Sequence, residues 1–461
     1  MSGENGVMIS AFEAGREALR WVTGAAVPAD GGATWPETRA TTEPASDDLY
    51  AGTAGVLVAL AEARLSGIAD FDDHAQAAAG RLRHLIAAQA GCAAVDEPDV
   101  TDLLIAAQTG RWASPDEPDA TDLGLYSGLG GYAAALAAWA SVSGDGEAAE
   151  AAQAAVRSIA GVAGRGQRVS AYRDLLLGEA GILLVLLGIG DVTVGPAAVV
   201  LADRLVAEAE WSGGEPDWYV KEGIPSFMPN FSHGAAGIGY ALAAASGPLD
   251  RPDYLDIALS AGRRLVRLGS RPDGTLVVPH SIPQRDWAAL VSYGWCHGPT
   301  GTVRLFDLLD RLRPGEGWAG HAAAGRRAVR ESGLPARLYP GFWDNLGQCC
   351  GTAGVGEMAL DRYQETGDPQ WLSWAGTLAS DVLGRCIADE AGVRWSHTEH
   401  TASPPELEPG IGWMQGAAGI AGWLLRLARL QRDGPSAARV WWPDRPDGCP
   451  PRPGEASKPG R

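Results

Sequence analysis

A short pattern that recurs seven times along the chain limits its fold more than any other feature. Each copy has two glycines three residues apart, followed by an apolar run rich in Ala, Leu and Val. The first glycines of the seven copies are Gly52, Gly128, Gly178, Gly234, Gly298, Gly351 and Gly416. Repetition of this kind indicates one repeat architecture. The length of 461 residues alone would suit about three domains or one large toroid.

The physical properties of the repeat predict its structure. Two glycines three apart lie on one side of the first turn of a helix, where they let a neighbouring backbone or ligand approach closely. The run that follows is apolar nearly all round, which is typical of a buried helix. Amphipathic stretches such as 147–164 and 253–269 lie between these runs. We therefore predict an all-α fold, an α/α toroid of about seven helical hairpins in two layers. An open α-solenoid is the alternative, although its repeats are usually more even in length.

The repeats divide the chain into three parts. We expect an N-terminal helix and linker at 1–44, the toroid at 45–432, and a disordered tail rich in Pro, Gly and charge at 433–461. Two stretches, 271–287 and 391–410, interrupt the helical pattern with turn signals and β-branched residues. They predict short hairpins or loops at a rim.

Charge and cysteine content limit the compartment and the partners. The net charge of −19 disfavours binding to a nucleic-acid backbone or an anionic membrane. The first apolar run contains Glu and Arg, so it is neither a signal peptide nor an anchor, and other apolar runs are too short to span a bilayer. Six cysteines are too few for a disulfide scaffold. We predict a cytoplasmic protein without stable membrane insertion, in which clustered cysteines indicate metal binding or chemistry.

Cysteine and histidine are concentrated directly before the first glycine of three repeats. The pairs are Ser232 and His233, Cys296 and His297, and Cys349 and Cys350. If the repeats close into a ring, these side chains converge at one end of the central cavity. Thiolate and imidazole ligands suit zinc. The alternatives are inert buried cysteines, or a vicinal disulfide, which a reducing compartment disfavours.

Three motifs carry a family resemblance. FSHGAAGIGYAL, GWCHGPTGT and QCCGTAGVGE, with the seven Gly-x-x-Gly repeats, resemble the lanthionine synthetase C family over roughly residues 45–430. The resemblance implies an α/α barrel with one zinc ion per chain. It also implies that Cys296, Cys349 and Cys350 are the ligands. Most members have His in the third place, so this chain resembles the subset with three cysteine ligands.

The resemblance also implies a reaction. In this family a zinc-activated cysteine thiol adds to a dehydroalanine or dehydrobutyrine, and the resulting enolate is protonated. His233 is our candidate proton donor, and Asp174 matches the family's carboxylate near that histidine. The alternatives are an ordinary histidine and an ordinary acidic residue at helix N-termini. For His297 we consider a second acid, a group outside the ligand set, or a spare ligand.

Departures from the family pattern leave the substrate open. Ser292 stands where many cyclases carry Arg, and His297 stands where they often carry Tyr. We predict a cyclase acting on a dehydrated, ribosomally made precursor peptide. No dehydratase or kinase domain precedes the repeats, so a separate dehydratase or kinase/lyase would supply that peptide. The alternatives are a LanC-like enzyme that adds glutathione to dehydroamino acids and a non-catalytic zinc-binding scaffold. A glycosidase would require paired carboxylates in the cavity.

The remaining candidates carry weaker signals. His397, Glu399 and His400 resemble a family stretch, and they either line the cavity mouth or form a solvated rim. We expect Cys386 to be structural. His280 has no supporting context.

Overall fold

Helices make up most of the chain. The structure is a computed structural model that describes residues 9–41, 46–89, 122–221, 223, 226–284, 291–336, 345–397 and 407–444. In chain order the described helices are α1 (Ala11–Thr23), α2 (Thr53–Leu65), α3 (Asp72–Gln89), α4 (Leu129–Ser143), α5 (Gly146–Gly164), α6 (Glu179–Ile189), α7 (Gly195–Ala207), α8 (Ala235–Ser246), α9 (Pro252–Gly269), α10 (Pro299–Leu312), α11 (Trp318–Glu331), α12 (Thr352–Thr366), α13 (Pro369–Gly384) and α14 (Ala417–Asp433). None of these helices combines the length and hydrophobicity that a membrane span requires.

The even-numbered helices form the inner layer. Each has the first glycine of its repeat as the N-cap residue. Consecutive even-numbered helices contact one another, and α14 contacts α2. This closure confirms the predicted α/α toroid and excludes the open solenoid.

The paired glycines are required by backbone packing within each repeat. A Cβ atom on Gly234 would lie 1.8 Å from the Met228 carbonyl oxygen, and one on Gly237 would lie 2.0 Å from that of Phe231. Both carbonyls belong to the loop that leads into α8. The glycines therefore let each loop fold tightly against the first turn of its own helix.

A closed circle of seven main-chain hydrogen bonds joins the loops before the inner helices. The residue two positions before the first glycine of each repeat donates its N–H to the carbonyl of the equivalent residue in the next repeat. The seven donor–acceptor distances are 2.9–3.2 Å. The residues, in order around the circle, are Tyr50, Tyr126, Leu176, Ser232, Cys296, Cys349 and Met414. This backbone circle fixes equivalent positions of all seven repeats around the channel.

The odd-numbered helices form the outer layer, and α1 completes it. The outer partners of the first six inner helices follow them in sequence, but the last partner comes from the N-terminus. α1 packs on α14, where a Cβ on Gly15 would lie 2.8 Å from the Leu425 side chain. The predicted boundary between 1–44 and 45–432 therefore needs correction, because it separates α1 from the toroid that α1 completes.

Three short hairpins follow outer helices α1, α7 and α13. Their strands are β1 (Val27–Ala29), β2 (Gly32–Thr34), β3 (Glu210–Ser212), β4 (Glu215–Asp217), β5 (Ile387–Asp389) and β6 (Gly392–Arg394). Each hairpin ends at a buried tryptophan, Trp35, Trp218 or Trp395. Each indole N–H donates to a carbonyl of the preceding helix, at 2.7–3.0 Å. The third hairpin confirms the start of the irregular stretch predicted at 391–410, although it begins earlier, and residues 398–406 lie outside the described part of the chain. The other two hairpins were not predicted.

The chain after α14 turns back into the channel. Val440, Trp441 and Trp442 are at most 7% exposed, and Asp444 is 2% exposed. The Tyr240 hydroxyl donates to the Asp444 carbonyl at 2.9 Å. The predicted disorder from residue 433 is therefore wrong for the part of the tail described, through Asp444. The expectation of disorder rested on the polar average composition of the tail. Burial of its two tryptophans instead stabilises the segment inside the channel.

Candidate metal centre and active site

Three cysteines lie together at the N-terminal ends of the inner helices. Cys296 and Cys349 are neighbours in the backbone circle, and Cys350 directly precedes the N-cap of α12. The Sγ atoms of Cys296 and Cys350 are 3.3 Å apart, and those of Cys349 and Cys350 are 3.5 Å apart. All three Sγ atoms lie within 4.8 Å of one another. The closed ring of repeats brings these residues together.

The cluster fits a zinc ion. Zn–S bonds of about 2.3 Å in tetrahedral geometry place two sulfurs roughly 3.8 Å apart, close to the separations found here. Three protein ligands leave a fourth position for substrate, as catalytic zinc sites do. A vicinal disulfide does not account for the cluster, because the 3.5 Å between Cys349 Sγ and Cys350 Sγ far exceeds a bond of about 2.05 Å.

Electrostatics within the cluster favour negative charge on one sulfur. The pKa of Cys350 is well below its ordinary value, first because of its hydrogen bonds with Cys296 and Cys349. The pKa of Cys296 is raised, first by its hydrogen bonds with Cys349 and Cys350 and then by burial. The N-terminus of α12 adds a positive helix dipole beside Cys350. Three thiols this close together, one of them favoured as a thiolate, form a donor set for a soft or borderline cation.

A histidine–carboxylate pair lies near the same end of the channel. His233 Nδ1 and Asp174 Oδ2 are 2.7 Å apart, and the two side chains are 4% and 0% exposed. The other oxygen of Asp174 accepts the Leu177 N–H at 2.7 Å, which fixes the carboxylate. With Nδ1 committed to Asp174, His233 retains Nε2 for proton transfer. The structure therefore brings together these two residues from different repeats.

Two further imidazoles lie beside His233. The ring centroids of His233 and His297 are 5.5 Å apart, and those of His280 and His297 are 3.8 Å apart in a stack. Burial lowers the pKa of His297 well below its ordinary range, and burial followed by the charge of His233 lowers the pKa of His280 to about 4. Both imidazoles are therefore neutral at pH 7.

His280 was not predicted as a site residue, because it belongs to no repeat. It lies on a loop that pairs with Phe227 through main-chain bonds at Ile282. The Asn230 amide donates to the His280 carbonyl at 3.2 Å, and Asn230 Oδ1 accepts the His233 N–H at 3.1 Å. Asn230 thus ties the His280 loop to the His233 loop. No sequence signal marked this link.

His397 supports the loop that carries the paired cysteines. It is 5% exposed, and its Nδ1 accepts the Leu346 N–H at 3.3 Å. Burial lowers its pKa to about 4. His397 is therefore part of neither a solvated rim nor the cysteine cluster. Glu399 and His400 lie outside the described residues, and Cys386 lies at the end of α13, away from the cluster.

The fold and the site define a class of protein. It is an α/α toroid with a cluster of three cysteines that could hold a metal ion, and with a buried histidine–aspartate pair at the same end of the channel. The sequence matches the family of lanthionine synthetase C-like proteins over residues 43–438. The chain belongs to this family.

The solved structure of nisin cyclase has the same architecture. Nisin cyclase superposes with a TM-score of 0.58 at 14% identity, covering 83% of this chain and 88% of that chain. A GH76 α-mannanase from Bacteroides thetaiotaomicron gives a TM-score of 0.48 at 11% identity, over 92% and 97% of the two chains. Unsaturated glucuronyl hydrolase from Bacillus sp. GL1 gives 0.46 at 16% identity, over 66% and 85%. At these identities the similarity concerns the fold alone. No curated protein sequence matches the chain significantly.

Proposed function

We propose that this protein is a zinc-dependent cyclase that forms thioether rings in a ribosomally made peptide. It would add a cysteine thiol to dehydroalanine or dehydrobutyrine. The observation that carries the proposal is the position of Cys296, Cys349 and Cys350 at the same end of the channel as the His233–Asp174 pair. Family membership and the likeness to nisin cyclase support a peptide substrate.

A bound zinc ion would activate the substrate thiol as the nucleophile. The three cysteines would hold one zinc ion, which when bound lowers the pKa of a substrate thiol so that a thiolate is available near neutral pH. A zinc ion held by three thiolates would withdraw less charge from the substrate sulfur than one held by two cysteines and one histidine. The substrate sulfur would therefore remain more nucleophilic.

The side chains of the pair would complete the addition. As sulfur bonds to the β-carbon, the electrons of the carbon–carbon double bond pass to the α-carbon and its carbonyl. His233, in its charged form, donates the Nε2 proton to the α-carbon, and the proton released from the thiol restores the imidazolium. The Asp174 carboxylate accepts the Nδ1–H, which orients the ring.

His297 takes a different role in this proposal. Because burial lowers its pKa, His297 is neutral near pH 7. A neutral imidazole can instead donate a hydrogen bond to the developing enolate oxygen. Its stack on His280 would hold the ring in place for this contact.

The proposal extends to supply and location. A separate dehydratase or kinase/lyase would provide the dehydrated peptide. A cytoplasmic location suits the site, because a reducing compartment keeps the thiol ligands free. No nucleic-acid partner is proposed.

A peptide carrying one dehydroalanine and one cysteine tests this function. Ring formation leaves the mass unchanged but removes the free thiol, so the expected product resists alkylation by N-ethylmaleimide in mass spectrometry. Addition of glutathione to a cysteine-free dehydroalanine peptide would instead identify the glutathione-adding enzyme, which His297 and Ser292 keep as the second candidate. A zinc-loaded protein that catalyses neither reaction would leave the scaffold role.

A further inference from the structure

A glutamine from the seventh repeat contacts the cysteine cluster. Gln415 directly precedes the first glycine of its repeat, the place that Cys350 occupies in the sixth repeat. Its Nε2 lies 3.5 Å from Cys350 Sγ and 3.2 Å from the Tyr50 hydroxyl. The amide therefore approaches the third candidate zinc ligand directly.

The orientation of this amide is fixed by a chain of hydrogen bonds. The backbone N–H of Gly347 donates to Asn345 Oδ1 at 2.8 Å, and a backbone N–H can only donate. Asn345 must therefore present its NH2 group to Gln415, and Asn345 Nδ2 lies 2.7 Å from Gln415 Oε1. This leaves the Gln415 NH2 group facing Cys350. The N–H···S contact thus follows from a main-chain donor and is no arbitrary choice of amide flip.

Tyr50 places a second donor at the cluster. This residue is 2% exposed and belongs to the backbone circle, two positions before the first glycine of repeat one. Its hydroxyl accepts a hydrogen bond from Gln415 Nε2 at 3.2 Å, and its own O–H donates to the Cys349 sulfur.

The hydrogen bonds from Gln415 and Tyr50 would offset negative charge on the sulfurs of a metal-bound cluster. Three thiolates around a doubly charged cation leave one net negative charge in a buried place, and a substrate thiolate would add another. Burying charge without compensation is costly. Hydrogen bonds from neighbouring groups to ligand atoms offset such charge and orient the ligands. The Gln415 bond is made to Cys350, the cysteine that adds a charge relative to a set with histidine.

We propose that Gln415, held by Asn345, and Tyr50 are positioning residues that stabilise a three-thiolate metal centre. The inference rests on the zinc site of the proposed function. It assigns a role in metal affinity to two residues that hold no metal themselves. Their hydrogen bonds are made to the ligand sulfurs. Loss of these bonds should therefore lower the zinc affinity even when no substrate is bound.

The test measures zinc affinity of the purified protein by competition with a chelator. Gln415→Leu is expected to weaken zinc binding by about 10- to 100-fold, the usual range for loss of a group that supports a ligand. Gln415→Glu should weaken it more than Leu does, because it places a carboxylate beside the sulfurs. Tyr50→Phe should weaken it less. Cobalt-substituted Gln415→Leu should also show a shifted sulfur-to-metal charge-transfer band.

Gln348→Leu is the matched control. Gln348 adjoins Cys349 in sequence, but its Nε2 donates to the Gly419 carbonyl at 2.8 Å. Gln348→Leu removes an amide of the same size from the neighbourhood of the cluster without removing a hydrogen bond to a sulfur. The zinc affinity of this variant should therefore match that of the wild type. Equal weakening in Gln348→Leu and Gln415→Leu would show a general packing effect and overturn the inference.

The outcomes separate this inference from the proposed function. Wild-type affinity in Gln415→Leu, Gln415→Glu and Tyr50→Phe overturns the inference and leaves the cyclase proposal intact. Weakened variants of a zinc protein that forms no thioether support the inference and contradict the function. A wild-type chain that binds no zinc contradicts both. If Gln415→Leu fails to fold, Tyr50→Phe decides the result.

Discussion

The two ends of the toroid's channel are built by different means. At the cysteine end, the backbone circle places seven equivalent loop positions, and the side chains with chemistry are added to that frame. At the opposite end, where the inner helices finish, a single segment without internal repetition fills the channel. Trp441 packs against Gly188 near the end of α6, and Gln364 in α12 donates to the Ala437 carbonyl at 2.8 Å. One end is therefore specified by repetition and the other by individual side chains.

The segment that follows α14 also contacts residues close to the cysteine end. Trp442 lies 5.9 Å from Trp413 and 6.3 Å from Tyr126, measured between ring centroids. Two residues further along the chain, Asp444 pairs with Arg304, and Arg304 also pairs with Asp361. Despite these contacts, we expect chemistry and stability to depend on different ends of the channel. Substitutions at the cysteine end should change metal binding or activity, whereas those at the tail end should change the free energy of unfolding.

The largest effect is expected at His233. His233→Asn keeps an N–H for Asp174 but removes Nε2, so cyclisation should fall by about 10²- to 10⁴-fold, the usual contribution of a general acid. Zinc content and the unfolding midpoint should stay near those of the wild type. The rate of thiol loss in the peptide assay checks this prediction. A rate within a few-fold of the wild type would remove His233 from the mechanism.

Trp442→Ala should have the largest effect on stability. Truncating a buried tryptophan costs about 3–5 kcal/mol of unfolding free energy. Urea unfolding with zinc analysis provides the measurement, and zinc content should be retained. Trp211→Ala is the control, because Trp211 is 52% exposed on β3 and its loss should change stability by no more than about 0.5 kcal/mol. Equal effects of the two substitutions would contradict the insertion of the tail.

Cys350→His refines the account of the cysteine end. Zinc should still bind, since histidine is a normal ligand, but the charge of the centre becomes less negative. We expect a cyclisation rate several-fold lower, because more charge is withdrawn from the substrate sulfur. The cyclisation rate is measured by quenching the reaction at successive times with saturating peptide. A faster variant would show that the third thiolate does not enhance nucleophilicity.

The smallest effect concerns pH. The folded-state pKa of His397 is about 4, below its ordinary value, so the unfolded chain binds a proton more readily as pH falls. The contribution of His397 to stability is present above about pH 6.5 and is lost progressively toward pH 4. His397→Asn keeps an acceptor for the Leu346 N–H but cannot titrate. Its unfolding midpoint should therefore fall less between pH 7 and pH 5, and an identical fall would rule out this titration.

The repeats made much of the fold predictable. Glycine pairs and apolar runs recur, so the seven inner helices and the ring closure follow from the sequence, and the cysteine pair adjoining Gly351 stands out as chemistry at a fixed motif position. Tyr50 and Gln415 occupy equivalent motif positions, yet tyrosine and glutamine are common residues without metal chemistry of their own. Aligning the seven repeats by position would have indicated them.

Other features depend on contacts that the repeat pattern does not contain. His280 reaches the site on a loop outside the repeats, through one amide from Asn230. The tail was expected to be disordered because prolines and charges dominate its composition. Two adjacent tryptophans outweigh that average once a channel of matching size exists. Features of this kind require the assembled toroid before they can be recognised.

The metal content of the purified protein, measured with Cys296→Ala and Trp442→Ala beside the wild type, tests the central claim most directly. The account predicts about one zinc per chain in the wild type and in Trp442→Ala, and none in Cys296→Ala. This result would place the metal at the cysteine end and show its independence from the tail end. A wild-type protein without zinc after chelator-free purification, or Cys296→Ala with full zinc content, would contradict it.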